Sequence, residues 1–142
     1  MGAAGRRLVH LELCRHALGK WTEFVSAAGP IIYVDSVVGL RHEVEANLPL
    51  EAFKAASDGS DPTNISERYD EPLSALQDDD LEFDNHIEYA WYAIYNLFQK
   101  YALASPIDDW LIVNQALSSE TDPERWNTLL SDAIDAAGEE KG

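Results

Sequence analysis

Five carboxylates fall within seven consecutive residues, at Asp78, Asp79, Asp80, Glu82 and Asp84. Acids at alternate positions could ligate calcium, because an EF-hand loop takes its first ligands from positions one, three, five and seven. Asp78, Asp80, Glu82 and Asp84 match that alternation. The sixth position, however, is Phe83 where the sharp turn needs glycine, and the twelfth is Tyr89 where a bidentate glutamate is needed. Histidine motifs also fail. His86-Ile87-Glu88 has the H-x-E of zinc deaminases but no P-C-x-x-C partner, since Cys14 is the only cysteine. His42-Glu43 is followed at the critical spacing by Ala46, not by the second histidine of H-E-x-x-H. Arg7, Leu13, Gly39 and Phe83 stand three residues before the four histidines, which excludes the Glu-x-x-His pairs of di-iron bundles. Neither G-x-S-x-G nor a glycine-rich phosphate loop occurs. No metal and no cofactor is expected.

Two sets of residues keep a functional reading. One or two acids at a helix N-terminus would satisfy the macrodipole, so the surplus in the acidic run points to a partner. Glu88 and Tyr92 follow it one and two turns into the next helix. An exposed tyrosine beside carboxylates suits an arginine or lysine, by ring stacking and charge-assisted hydrogen bonds. The expected contact is therefore Asp78, Asp79, Asp80, Glu82, Asp84, Glu88 and Tyr92. The alternative is an inter-helix pocket using His86, Tyr95, Tyr101, Asp108 and Asp109. Asp108-Asp109 resembles a carboxylate pair for acid–base work, yet two acids in the first turn of a capped helix also stabilise the fold by ~0.3–1 kcal/mol each. His10 and Cys14 share a helix face, but Cys14 lies on the apolar stripe and is read as a packing residue.

The elements that must carry these residues are helical. Leu11, Cys14, Leu18, Trp21, Val25 and Ala28 recur at steps of three and four, and Gly29-Pro30 ends that helix. Residues 31–38, IIYVDSVV, have the β-branched content of a strand but no strand-like run to pair with. They are read as a short extended segment leading into a helix capped by Asp35 or Ser36, with Val37, Leu40, Val44 and Leu48 on its face. Pro49 opens a short helix, and residues 57–66 form an exposed loop rich in Gly, Pro, Ser, Asn and Asp. Another short helix is expected from Glu71 to Gln77. Segment 85–103 is apolar on more than one face, as the central helix of a bundle would be. Ser105-Pro106-Ile107-Asp108 starts a helix burying Trp110, Leu111, Val113 or Asn114, and Leu117. The last helix stops at Gly138, leaving a frayed acidic tail over 138–142. The expected architecture is an all-α, single-domain bundle of five to seven helices around a central aromatic-rich helix.

The charge is divided unevenly. Residues 1–57 hold six acids and six bases, whereas residues 58–142 hold twenty acids against Arg68, Lys100, Arg125 and Lys141, and so carry the whole net charge of −16. That balance disfavours nucleic acid, whose phosphates call for clustered Lys and Arg, and anionic membranes for the same reason. A lone cysteine cannot form an intramolecular disulfide and fits a reducing compartment. His10, Glu12, Arg15 and His16 interrupt any leader-like apolar stretch, so a cytoplasmic location is expected. With 46% hydrophobic residues and four tryptophans, a real core can form.

In size, helical content and acidity the whole chain resembles the small acidic immunity proteins that neutralise bacterial toxins. The resemblance is one of general type, and no motif matches residue by residue. It implies a direct protein partner and no cofactor. The leading expectation is a non-catalytic acidic module that docks a basic protein, such as a toxin. The runner-up is a small helical enzyme or ligand-binding protein using Asp108, Asp109 and His86. A third reading is a homo-oligomeric subunit joined through exposed apolar residues of IIYVDSVV.

Overall fold

A helix that is apolar on more than one side needs neighbours on more than one side, and segment 85–101 finds them. The computed structural model describes residues 2–78 and 81–141, of which 139–141 by backbone alone. The elements run α1 (Ala3–Ala28), β1 (Ile32–Val34), β2 (Arg41–Glu43), α2 (Leu48–Asp58), α3 (Ile65–Gln77), α4 (Asn85–Tyr101), α5 (Asp109–Ser118), a 3-10 turn (Pro123–Arg125) and α6 (Trp126–Lys141). The fold is an all-α bundle with one small antiparallel hairpin at its edge. Helix α4 packs against α1, α2 and α5, while α1 also meets α6, α5 and α2. Ile87, Ala90, Trp91, Ala93, Ile94, Leu97 and Phe98 are all buried. Among the described residues no helix is long and apolar enough to cross a membrane.

Aromatic side chains join the elements at the centre. The Trp91 ring lies 4.8 Å from that of Trp21 on α1, 4.7 Å from Tyr69 on α3 and 5.9 Å from Phe83 in the loop before α4. Each is a tilted contact, the arrangement that suits the ring quadrupoles. Trp21 turns its indole N–H to the Ala46 carbonyl at 2.8 Å, so its polar edge is satisfied on burial. Arg7 donates to the carbonyls of Ala56 and Ser57 (2.6 and 3.1 Å), placing a cation against the C-terminal, electronegative end of α2.

Residues 31–44 correct the helix expected there. Ile32, Tyr33 and Val34 pair with Glu43, His42 and Arg41 in an antiparallel register. Asp35 does act as a cap, but of a turn. Its Oδ1 accepts from the amides of Val37 and Val38 (3.1 and 2.7 Å), and its carbonyl accepts from Gly39. Gly39 has a φ of +72°, a conformation open chiefly to glycine, and it closes the hairpin. The partner strand is Arg-His-Glu, which carries no apolar alternation to betray it. Only Tyr33 of the two strands is buried, leaving Val37 and Val38 86% and 66% exposed at the tip.

Three helix boundaries or faces also differ from expectation. Helix α3 starts at Ile65, six residues before Glu71, with Pro72 inside it. Proline forfeits one backbone bond there. Burial of Ile65 and Tyr69 offsets this, as do ion pairs from Arg68 to Glu45 (2.8 Å) and Glu51. The irregular stretch between α2 and α3 is thereby reduced to residues 59–64. Helix α5 buries Ile112, Val113 and Ala116, whereas Trp110, Leu111 and Asn114 are exposed and Leu117 is half-buried. Its face is turned because Asp109 points inward to Lys100. Helix α6 passes Gly138 and continues to Lys141, and Gly142 lies outside the described residues.

Candidate functional site

The acidic run is a pinned loop. Leu81 and Phe83 are buried, and Phe83 packs edge-on to Trp21 with ring centroids 5.4 Å apart. Alternation then directs Glu82 and Asp84 outward, and both are exposed. Asp79 and Asp80 lie outside the described residues. Asp78 follows the last residue of α3 and is exposed. A carboxylate at that end of a helix opposes the macrodipole, so helix stabilisation does not explain it. Asp84 immediately precedes α4, and its backbone carbonyl accepts from the amides of Ile87 and Glu88. Burial raises the Tyr92 phenol above its ordinary pKa, and the neighbouring Glu88 carboxylate adds to the shift. Asn85, Glu88, Tyr89 and Tyr92 together border a shallow depression of about 240 Å³.

A larger acidic feature adjoins this loop, and the sequence reading missed it. Between the hairpin and α3 runs a cleft of about 420 Å³, lined by five carboxylates, Asp35, Glu67, Asp70, Glu71 and Asp78, with Tyr33, Val37 and Val38. No lysine or arginine lines it. Glu67, Glu71, Ser74 and Asp78 are spaced by four, three and four residues, one polar face of a helix. That periodicity was the available signal, hidden because α3 was expected to begin only at Glu71. Among the described residues, Glu67, Asp70, Asp78, Glu82, Asp84 and Glu88 make no ion pair with lysine or arginine, whereas Glu45, Glu51, Asp109 and Glu120 do. At the cleft wall the Asp35 carboxyl is brought down to about 2, chiefly by the Val38 amide and then by His42.

The alternative pocket is only partly assembled. Tyr101, Asp108 and Asp109 come together near α1, where His10 joins them. His10 is 2% exposed, and its Nδ1 hydrogen-bonds the Tyr101 hydroxyl at 2.6 Å. Its Nε2 lies 3.9 Å from Asp109, which in turn meets Lys100 at 3.1 Å and Arg6 at 3.7 Å. Asp108 caps α5, accepting from the Trp110 amide at 2.8 Å. A mainly apolar cavity of about 660 Å³ opens beside these groups. His86 is at the opposite end of α4 from Tyr101, about 22 Å away along the axis at 1.5 Å per residue. Tyr95 stacks on Tyr69 at 4.6 Å, on the α3 side. The hydrogen bond from Lys100, more than the opposing effect of burial, holds the Asp109 carboxyl below its ordinary pKa. It is thus an ionised partner of Lys100 and not a protonated acid waiting to donate.

No protein-family model, curated protein or solved structure matches this chain. Its surface must be read on its own chemistry.

Two histidines set an acid-side limit on stability. Burial lowers the pKa of His10 and of His16, overcoming the opposing fields of Asp109 and Glu120 respectively. The folded chain therefore refuses protons that the unfolded chain takes up near pH 6.5. The resulting stability is fully present above that pH and lost as pH falls through the lowered folded values. Urea midpoints are expected to drop between pH 7 and 5, before most carboxylates titrate. The double variant His10→Gln, His16→Gln should flatten that slope, and an unaltered slope would refute the assignment.

Proposed function

We propose that this chain is a non-catalytic module that docks a basic protein through its acidic cleft and the adjoining 78–88 loop. The observation that carries this reading is the cleft between the hairpin and α3. Five carboxylates surround it without a lysine or arginine, beside two exposed valines at the hairpin tip. Unneutralised charge of one sign, concentrated in a concave site, raises association rates with oppositely charged partners. The valines and Tyr92 supply apolar and aromatic area, which holds a complex once formed. The partner is a cationic protein surface. In the general type this chain resembles, that surface belongs to a toxin and the module is its inhibitor in the cytoplasm.

The test has two stages. Immobilised chain is first used to capture proteins from its native cell extract at low and at high salt. Association of the captured protein is then timed between about 50 and 500 mM salt, over which screening shortens from beyond 10 Å to a few ångström. A markedly slower on-rate at high salt is expected. An on-rate indifferent to salt would overturn the reading.

A second reading rests on the cavity at His10. Its volume falls within the roughly 300–1,000 Å³ of small-molecule sites, and Lys100 and Arg6 at its rim would suit a carboxylate-bearing ligand.

A further inference from the structure

The geometry points to a divalent metal site formed by Asp35, His42 and Glu71, where the sequence alone suggests none. The three side chains come from three elements, the hairpin turn, β2 and α3. One ligand atom from each lies within 4.8 Å of the other two. His42 Nε2 is 2.8 Å from Asp35 Oδ2 and 2.9 Å from Glu71 Oε1. One ring nitrogen thus faces two carboxylate oxygens, although it has only one proton to donate, or one lone pair. A cation among the three atoms would accept electron density from all of them.

Each ligand is held from behind. Asp35 spends its Oδ1 on the two turn amides, so Oδ2 alone is offered. The His42 ring stacks on Tyr33, directly across the register, with centroids 5.1 Å apart and planes 26° from parallel. Such outer contacts orient ligands and tune affinity. Asp35 and Glu71 also line the acidic cleft, which gives water access to the remaining coordination positions.

Donor type and spacing together select the ion. With metal–ligand bonds of about 2.0–2.1 Å, neighbouring ligand atoms sit about 2.9 Å apart at right angles and about 3.3 Å apart in a tetrahedron. The observed separations match the former, a three-ligand face of a six-coordinate centre. An imidazole with two carboxylates favours first-row transition ions over calcium or magnesium, which prefer all-oxygen sites. Zinc or manganese is the expected occupant, and it would clamp the hairpin to α3.

The site is independent of the docking reading, and the test needs no partner. Chain without a histidine tag, stripped with chelator, would be titrated with Zn²⁺, Mn²⁺ and Ca²⁺ by calorimetry and thermal melting. Zn²⁺ or Mn²⁺ should bind at one equivalent and raise the melting temperature by several degrees, with Ca²⁺ much weaker. Glu71→Gln, an exposed change on a helix, should weaken binding by more than about tenfold, a loss that even outer-shell substitutions can cause. His42→Gln should do the same. Asp78→Asn with Glu82→Gln should leave it unchanged. Co²⁺ bound at the site should show the weak visible absorption of six-coordination. Equal affinity for calcium would overturn the proposal. So would binding that survives Glu71→Gln, binding that is lost with Asp78 and Glu82, or no saturable binding at all.

Discussion

Phe83→Ala is expected to lower stability by about 3–5 kcal/mol, the usual penalty for emptying a buried phenylalanine site. At this chain length that corresponds to a melting temperature roughly 10–15 °C lower. Phe83 meets Trp21, Phe24 and Trp91, so its removal opens the aromatic centre as well as the loop. The same variant should make amides around residues 81–84 exchange faster, because Leu81 would be left as the loop's remaining deep anchor. Urea titration gives the energy, and hydrogen exchange gives the local effect. A loss below about 1 kcal/mol would mean that the loop merely rests on the core.

Asp70→Lys combined with Asp78→Lys should do the reverse, sparing the fold and impairing recognition. Both residues are exposed, and neither pairs with a lysine or arginine among the described residues. Lysine at position 78 also places a favourable charge at the C-terminal end of α3. The melting temperature should therefore stay within a few degrees of the parent's. Two reversals turn part of a uniformly anionic cleft cationic. Since steering contributes about tenfold to a thousandfold in rate, association with a basic partner should slow by about tenfold or more at low salt. The difference should fade as salt rises. Unchanged on-rates at low salt would remove the cleft from the binding surface, and large unfolding would reveal a structural role for these carboxylates.

The parts of this fold that were legible in the sequence are those governed by local chemistry. The two-sided apolar pattern of 85–101 announced α4 as central, and Asp108 was recognisable as a cap. The hairpin was not legible, because one of its strands is three polar residues paired to a neighbour that buries a single tyrosine. The same Asp35 that caps a turn could equally have capped a helix, and Gly39 was the residue that decided between them. Helix α3 was shortened in the reading because Pro72 looked like a beginning. Tertiary packing of Ile65 and Tyr69 overrode that signal. For the site, the acids of 78–88 were visible as a run, but the cleft was not. It gathers Asp35 from the electrically neutral part of the chain with acids on one face of a helix whose start was misplaced. His10 went unassigned because its partners, Tyr101 and Asp109, are about a hundred residues away.

In the loop before α4, odd-numbered positions plug the interior while even-numbered ones face outward. Holding the segment in place and displaying its charge are thus duties of different side chains. Positions 82 and 84 can be exchanged for other polar residues without disturbing Leu81 or Phe83. A panel of such variants would sample many binding preferences on one unchanged frame.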